Sequence, residues 1–211
     1  MIVSRRAFGF GTAALAALAA LPAVAQSGRL SAEDQAAVVQ ARAVLQALTS
    51  VQGTFVETSG PQRREGRFWL QRPGRMRFEY TDPAGLLVVA DGSNVKRYDP
   101  RLNVFRQVSL RLTPLSTFLA RDIRLDRGVM ITRVTRMQSG AFAITAVDQQ
   151  RPNQGSVILA FAGSPLRLQE WTITDAQGGR TRTQLTTLQP AAGLSPSLFQ
   201  LADPTRPARR N

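Results

Sequence analysis

Between Gly66 and Tyr80 the chain alternates residue type twice, with Pro73-Gly74 separating the two runs. Phe68, Leu70 and Arg72 share one parity of the first run, and Met76, Phe78 and Tyr80 share one parity of the second, opposite Arg75, Arg77 and Glu79. Because successive strand side chains point to opposite faces, this spacing predicts a hairpin with one face that avoids water. The same period holds from Val51 onward. It is broken by turn chemistry at Gly60-Pro61, Asp82-Pro83, Asp91-Gly92, Asp99-Pro100, Gly140, Pro152-Asn153, Gly163-Ser164-Pro165 and Gly178-Gly179. Such breaks delimit about ten or eleven strands. Strands joined by tight turns pair antiparallel, so the expected fold is one long meander that curls into a half-closed or closed barrel.

Two helices interrupt the β pattern. Ser31 is an N-cap residue followed by Asp34, and Ala37, Val38, Ala41, Val44, Leu45 and Leu48 recur at helical spacing, which predicts an amphipathic helix from about Ser31 to Thr49. The second is a short helix at Thr113-Pro114, with Leu112, Leu115, Phe118 and Leu119 on one side. Its natural place in a curved sheet is across the open mouth as a lid, although periodicity alone fits a permanent core helix equally well. Arg72 shares the face of Phe68 and Leu70. It either points into the concave side or stands exposed at the turn beside Pro73.

Residues 1–25 carry Arg5 and Arg6, an Ala/Leu stretch and the small-residue pattern Ala23-Val24-Ala25, which predicts an export signal, twin-arginine-like or ordinary Sec, rather than a membrane span. Either route leads to the periplasm. A single domain is expected over residues 26–204, followed by a basic flexible tail at 205–211. The 211-residue chain contains no cysteine and no histidine, which removes the thiol nucleophile, the commonest general base and the usual transition-metal ligand. Its 14 acidic residues are thinly spread, so no enzyme, cofactor or metal is expected. The formal charge of +13 is nearly all arginine, with Lys96 the one lysine. Removing Arg5 and Arg6 leaves +11, so an anionic partner is expected, and the periplasmic address argues against nucleic acid.

Residues in order along the chain also resemble the periplasmic lipoprotein carrier family LolA. They run from Gly53-Thr54-Phe55 through Glu65-Gly66-Arg67-Phe68-Trp69-Leu70-Gln71-Arg72-Pro73, Leu86-Leu87-Val88-Val89-Ala90-Asp91-Gly92 and Tyr98-Asp99-Pro100 to the Thr113-Pro114 helix and Phe199-Gln200-Leu201. The Gly-x-x-Trp-x-x-Arg-Pro and Val-x-Asp-Gly portions are the most specific. The resemblance implies an incomplete antiparallel barrel under a helical lid, a monomer that performs no chemistry. It implies a chaperone that shelters the acyl chains of outer-membrane lipoproteins, takes them from an inner-membrane LolCDE-type transporter and hands them to a LolB-type receptor.

On that resemblance the acyl-chain cavity is expected to be lined by Phe68, Leu70, Met76, Phe78, Tyr80, Leu86 and Val88. Leu115, Phe118 and Leu119 form the lid, and Arg72 latches it by hydrogen bonds to lid carbonyls. A rival from another class is a half-barrel sensor domain that detects lipoproteins or envelope damage. A third reading, a surface polyanion binder, calls for exposed aromatics between arginines rather than an apolar sheet face.

Overall fold

A computed structural model of the chain describes residues 30–113 and 115–206. Residues 1–29, which hold the expected export signal, Pro114 and residues 207–211, which hold most of the expected basic tail, lie outside the described residues. Helix α1 (Ala32–Ala47) starts where Ser31 accepts a hydrogen bond from the Asp34 amide at 3.1 Å, with Glu33 and Asp34 in the positive first turn. Small residues on its buried stripe, Ala37 and Ala41, let it lie close against a sheet.

That sheet has eleven antiparallel strands: β1 (Ser50–Ser59), β2 (Gln62–Gln71), β3 (Arg75–Asp82), β4 (Leu87–Asp91), β5 (Asn94–Asp99), β6 (Val104–Ser109), β7 (Val129–Arg136), β8 (Phe142–Asp148), β9 (Gly155–Ala162), β10 (Arg167–Asp175) and β11 (Arg180–Pro190). Their spatial order is β6-β5-β4-β3-β2-β1-β11-β10-β9-β8-β7. The fold is therefore mainly β, an open antiparallel sheet, as the alternation and turn pattern predict.

Strands β6 and β7 are neighbours in sequence but occupy opposite edges, so residues 110–128 must cross the open side of the sheet. The crossing contains a 3-10 turn (Leu110–Leu112) and α2 (Leu115–Phe118), only four residues long. Leu119 lies just beyond the helix instead of within it, because a single turn ends where the chain must drop Leu119, Ile123 and Leu125 into the interior.

The concave side holds two apolar clusters. One joins α1 and Ile123 to the β7–β10 arm through Phe142, Ile144, Leu159 and Phe161. The other joins Leu110 and Leu119 to the β1–β4 arm through Phe55, Phe68, Phe78 and Tyr80. Leu48, Trp171 and Leu185 touch both. On the convex side, the turn Pro196–Phe199 packs on β3 and β4, which explains why Val89 and Phe199 are buried although Val89 points away from the concave face.

Candidate functional site

Register fixes which predicted residues meet. Phe68 pairs with Phe78, Leu70 with Met76, and Phe78 with Val88 across β2, β3 and β4, so all share the concave face. Phe68 and Phe78 stack at 5.6 Å, while Phe55 meets Phe78 and Tyr80 edge-on at 4.8 and 5.1 Å. Phe68, Met76, Phe78, Tyr80 and Leu86 are buried, and Leu70 and Val88 are half-buried beside them. Such edge-on and stacked pairs add about 0.5–1.5 kcal/mol each beyond the area they bury.

This face ends in a polar cluster. The Tyr80 hydroxyl donates to Glu57 Oε2 at 2.8 Å, and Glu57 Oε1 lies 3.2 Å from an Arg64 nitrogen. Burial, and then the Glu57 charge, push the Tyr80 phenol well above its ordinary value, so it stays a neutral donor.

Arg72 does not reach the 110–128 crossing with its side chain. Its guanidinium instead closes the C-terminal end of α1: Nε donates to Leu48 O at 2.8 Å, and Nη2 donates to Leu48 O at 2.6 Å, to Gln46 O at 3.2 Å and to Leu45 O. The physical reason is the helix end itself, whose last carbonyls lack intrahelical donors and carry the negative end of the dipole. The last turn of α1 has no basic residue of its own, and Arg72 supplies that charge from the turn after β2. Nη1 is buried and has no hydrogen-bond partner among the described residues. Burial pulls the guanidinium below its ordinary value, yet a guanidinium has no accessible neutral form.

The crossing is held by the neighbouring backbone. Gly74, at φ +77°, turns its N–H onto Leu119 O at 2.7 Å, so the β2–β3 turn grips α1 through Arg72 and the crossing through Gly74. The two pieces are also tied to each other. Gln46 Nε2 donates to Arg121 O at 2.9 Å, Gln46 Oε1 accepts from the Ile123 amide at 2.8 Å, and Arg42 Nε donates to Ile123 O at 2.8 Å. The concave face thus lies under α1 and the crossing together, so that α1 adds to the Thr113 helix expected there. Leu115 and Phe118 are half-buried there and Leu119 is buried.

In this closed arrangement Leu110 and Leu119 pack onto the β1–β4 arm, against the residues expected to line the acyl-chain cavity. A cleft of about 400 Å³ opens over the β7–β10 arm, with an apolar floor of Phe118, Val129, Ala146 and Val157 and a rim that includes Arg111, Leu112 and Ile173. It lies within the size range of small-ligand sites. Of the floor residues, the sequence placed Phe118 at the site, in the lid, but not Val129, Ala146 or Val157, nor Phe55 and Trp171. The alternation of β8 and β9 could have found Ala146 and Val157. Among the described residues, no three His, Cys, Asp or Glu side chains gather as a metal would need, and no helix is long and apolar enough to cross a membrane.

The family model for "Outer membrane lipoprotein carrier protein LolA" matches residues 46–202. The chain belongs to the LolA family. It is 31% identical over 167 residues to the outer-membrane lipoprotein carrier protein of Methylobacillus flagellatus, spanning 75% of this chain and 76% of that one. The carrier protein of Leptothrix cholodnii is 32% identical over 210 residues, spanning 95% of this chain and 94% of that one. Among solved structures, an uncharacterised conserved protein from Thermus thermophilus superposes with a TM-score of 0.51 at 14% identity, over 82% of this chain and 98% of that one, which speaks to the fold. This member of the LolA family thus carries its family's β architecture and two conspicuous polar grips on the cover.

Proposed function

We propose that the protein is a periplasmic carrier that takes up lipoprotein acyl chains between the concave face and the α1–crossing cover. It would receive them from a LolCDE-type transporter at the inner membrane and release them to a LolB-type receptor at the outer membrane. The observation that carries this reading is the construction of the cover. Two apolar arms face inward, and what lies over them is fastened by a few hydrogen bonds from one turn, Arg72 and Gly74.

The energetics suit a shuttle. Each methylene left in water costs roughly 0.8 kcal/mol, so an anchor with several long chains faces tens of kcal/mol in an aqueous gap. A carrier has to remove most of that cost without holding cargo too tightly for the next receptor. Here an entering chain displaces Leu110 and Leu119 from Phe68, Met76, Phe78 and Leu86, exchanging one apolar contact for another. Val129, Ala146 and Val157 in the standing cleft give the first methylenes an apolar surface before the cover moves. No bond is made or broken in this cycle.

Mass spectrometry of the protein purified from its own periplasm tests the reading. Co-purified triacylated protein or lipopeptide is the expected result. A repeatedly empty protein held in a stable complex with a signalling partner would overturn it in favour of a sensor.

A further inference from the structure

On the concave face of the β1–β4 arm, residues opposite one another change character in one direction along the strands. Nearest Arg72, Leu70 stands opposite Met76; Phe68 and Phe78 come next, and then Phe55 and Tyr80 on either side of Gly66. The following position is charged. Glu57, opposite Arg64 on β2 and the buried Thr183 on β11, shares the parity of Phe55 and therefore its face.

Three strands thus build one polar cluster. The Tyr80 hydroxyl and an Arg64 nitrogen occupy the two oxygens of Glu57, whose side chain is 13% exposed, and Arg64 also donates to Gln62. On β5, Arg97 stands opposite Val88 and pairs with the buried Asp99 at 3.3 Å, so the β4 side of this end is charged as well. Trp171, edge-on to Phe78 at 6.1 Å, touches both apolar clusters and flanks the row on its β10 side. A methylene pressed against Glu57 and Arg64 would strip water from two charges and return no hydrogen bond, a cost well above the gain from burying it. The grips on the cover, Arg72 and Gly74, lie at the opposite end of the same strands. A chain laid along β2 and β3 therefore has one end where the cover opens and the other against Glu57.

We propose that Glu57, Arg64 and Tyr80 form a polar stop that sets the length of acyl chain this arm accepts. The proposal rests on the carrier reading and adds a specificity to it: the carbonyl end of a chain lies beside Arg72 and its methyl end abuts Glu57. From Leu70 to Arg64 an extended strand covers about 20 Å, and a saturated chain advances about 1.3 Å per carbon, so the track holds about sixteen carbons.

The test uses the full chain and monoacylated lipopeptides of one sequence, with saturated chains of about twelve to about twenty carbons, in displacement of a fluorescent acyl probe. Affinity is expected to rise severalfold with each pair of carbons up to about sixteen, and then to stop rising or to fall. A photoreactive group on the terminal carbon of a chain at that limit should label β1, β2 and β3 beside Phe55 and Tyr80. Glu57→Leu combined with Tyr80→Phe removes the carboxylate and the hydroxyl while Arg64 keeps Gln62 as an acceptor, and should raise the limit by at least about two carbons. Affinity that keeps rising through the longest chain, labelling of β7–β10 instead, or a folded double variant with an unmoved limit each overturns the stop and leaves carriage intact. If the double variant fails to fold, the first two measurements, both on the unsubstituted protein, decide. Lipopeptides that bind at no length overturn the carrier reading, and the stop with it.

Discussion

Arg72 is a charged group whose acceptors are backbone carbonyls of another element, so its effect depends on the helix end and not on any side-chain partner. Charge-assisted hydrogen bonds are worth about 1.5–3 kcal/mol each, and leaving the carbonyls of Leu45 and Leu48 unmet adds to the loss. Arg72→Leu is therefore expected to loosen the end of α1 by about 2 kcal/mol, read as faster hydrogen exchange of the amides around Leu45 to Thr49, while loaded carrier releases cargo poorly because the cover no longer closes behind it. Unchanged exchange in that variant would contradict the clasp. Arg72→Lys should fall between the two, since an ammonium cannot present the planar fork that serves three carbonyls. Tyr80 makes a different prediction. Its phenol holds its proton more tightly folded than unfolded, so the stability it contributes is complete below the ordinary tyrosine value of about 10 and declines as pH rises above it. Denaturation curves measured from neutral to strongly alkaline pH should show that decline, and Tyr80→Phe should flatten it.

At the scale of elements, the tie between α1 and the crossing is the part most open to dissection. Gln46 reads the backbone of Arg121 and Ile123 as a neighbouring strand would, and Arg42 adds a bond to Ile123. Gln46→Ala should let the crossing open without α1, so the Ile123 amide exchanges faster while those of Ala37 and Ala41 do not; parallel acceleration of both would contradict a side-chain tie. Gly53 tests the sheet. A Cβ there would sit 2.0 Å from Thr187 O and 2.8 Å from the Phe68 ring, at the irregularity between Thr54 and Phe55. Gly53→Ala is expected to cost at least about 2 kcal/mol in urea denaturation by forcing β1 from β11. The elements themselves were legible: Ser31 and Asp34 marked the start of α1, and the alternation in Gly66–Tyr80 put Phe68, Phe78 and Tyr80 on one face. The role of α1 as cover was not legible, because an apolar stripe says that a face is buried and not what it covers. The acceptors of Arg72 were equally hidden, since a carbonyl has no residue identity.

For the whole molecule, the decisive fact is that consecutive strands β6 and β7 lie at opposite edges, which obliges residues 110–128 to span the opening. Turn spacing predicted the strand number and the antiparallel pairing. It could not tell which arm the crossing leans on, because that is decided by long-range packing of Leu110, Leu119, Ile123 and Leu125, and so the cleft over β7–β10 was not foreseen. Shuttling requires that the cover move as cargo enters. Hydrogen exchange on the protein with and without bound triacylated lipopeptide addresses this most directly. The expected result is loss of protection in residues 42–49 and 110–125 together, with retained or increased protection in β2, β3, β8 and β9. Lipopeptide bound with both cover segments as protected as in the free protein would contradict the account.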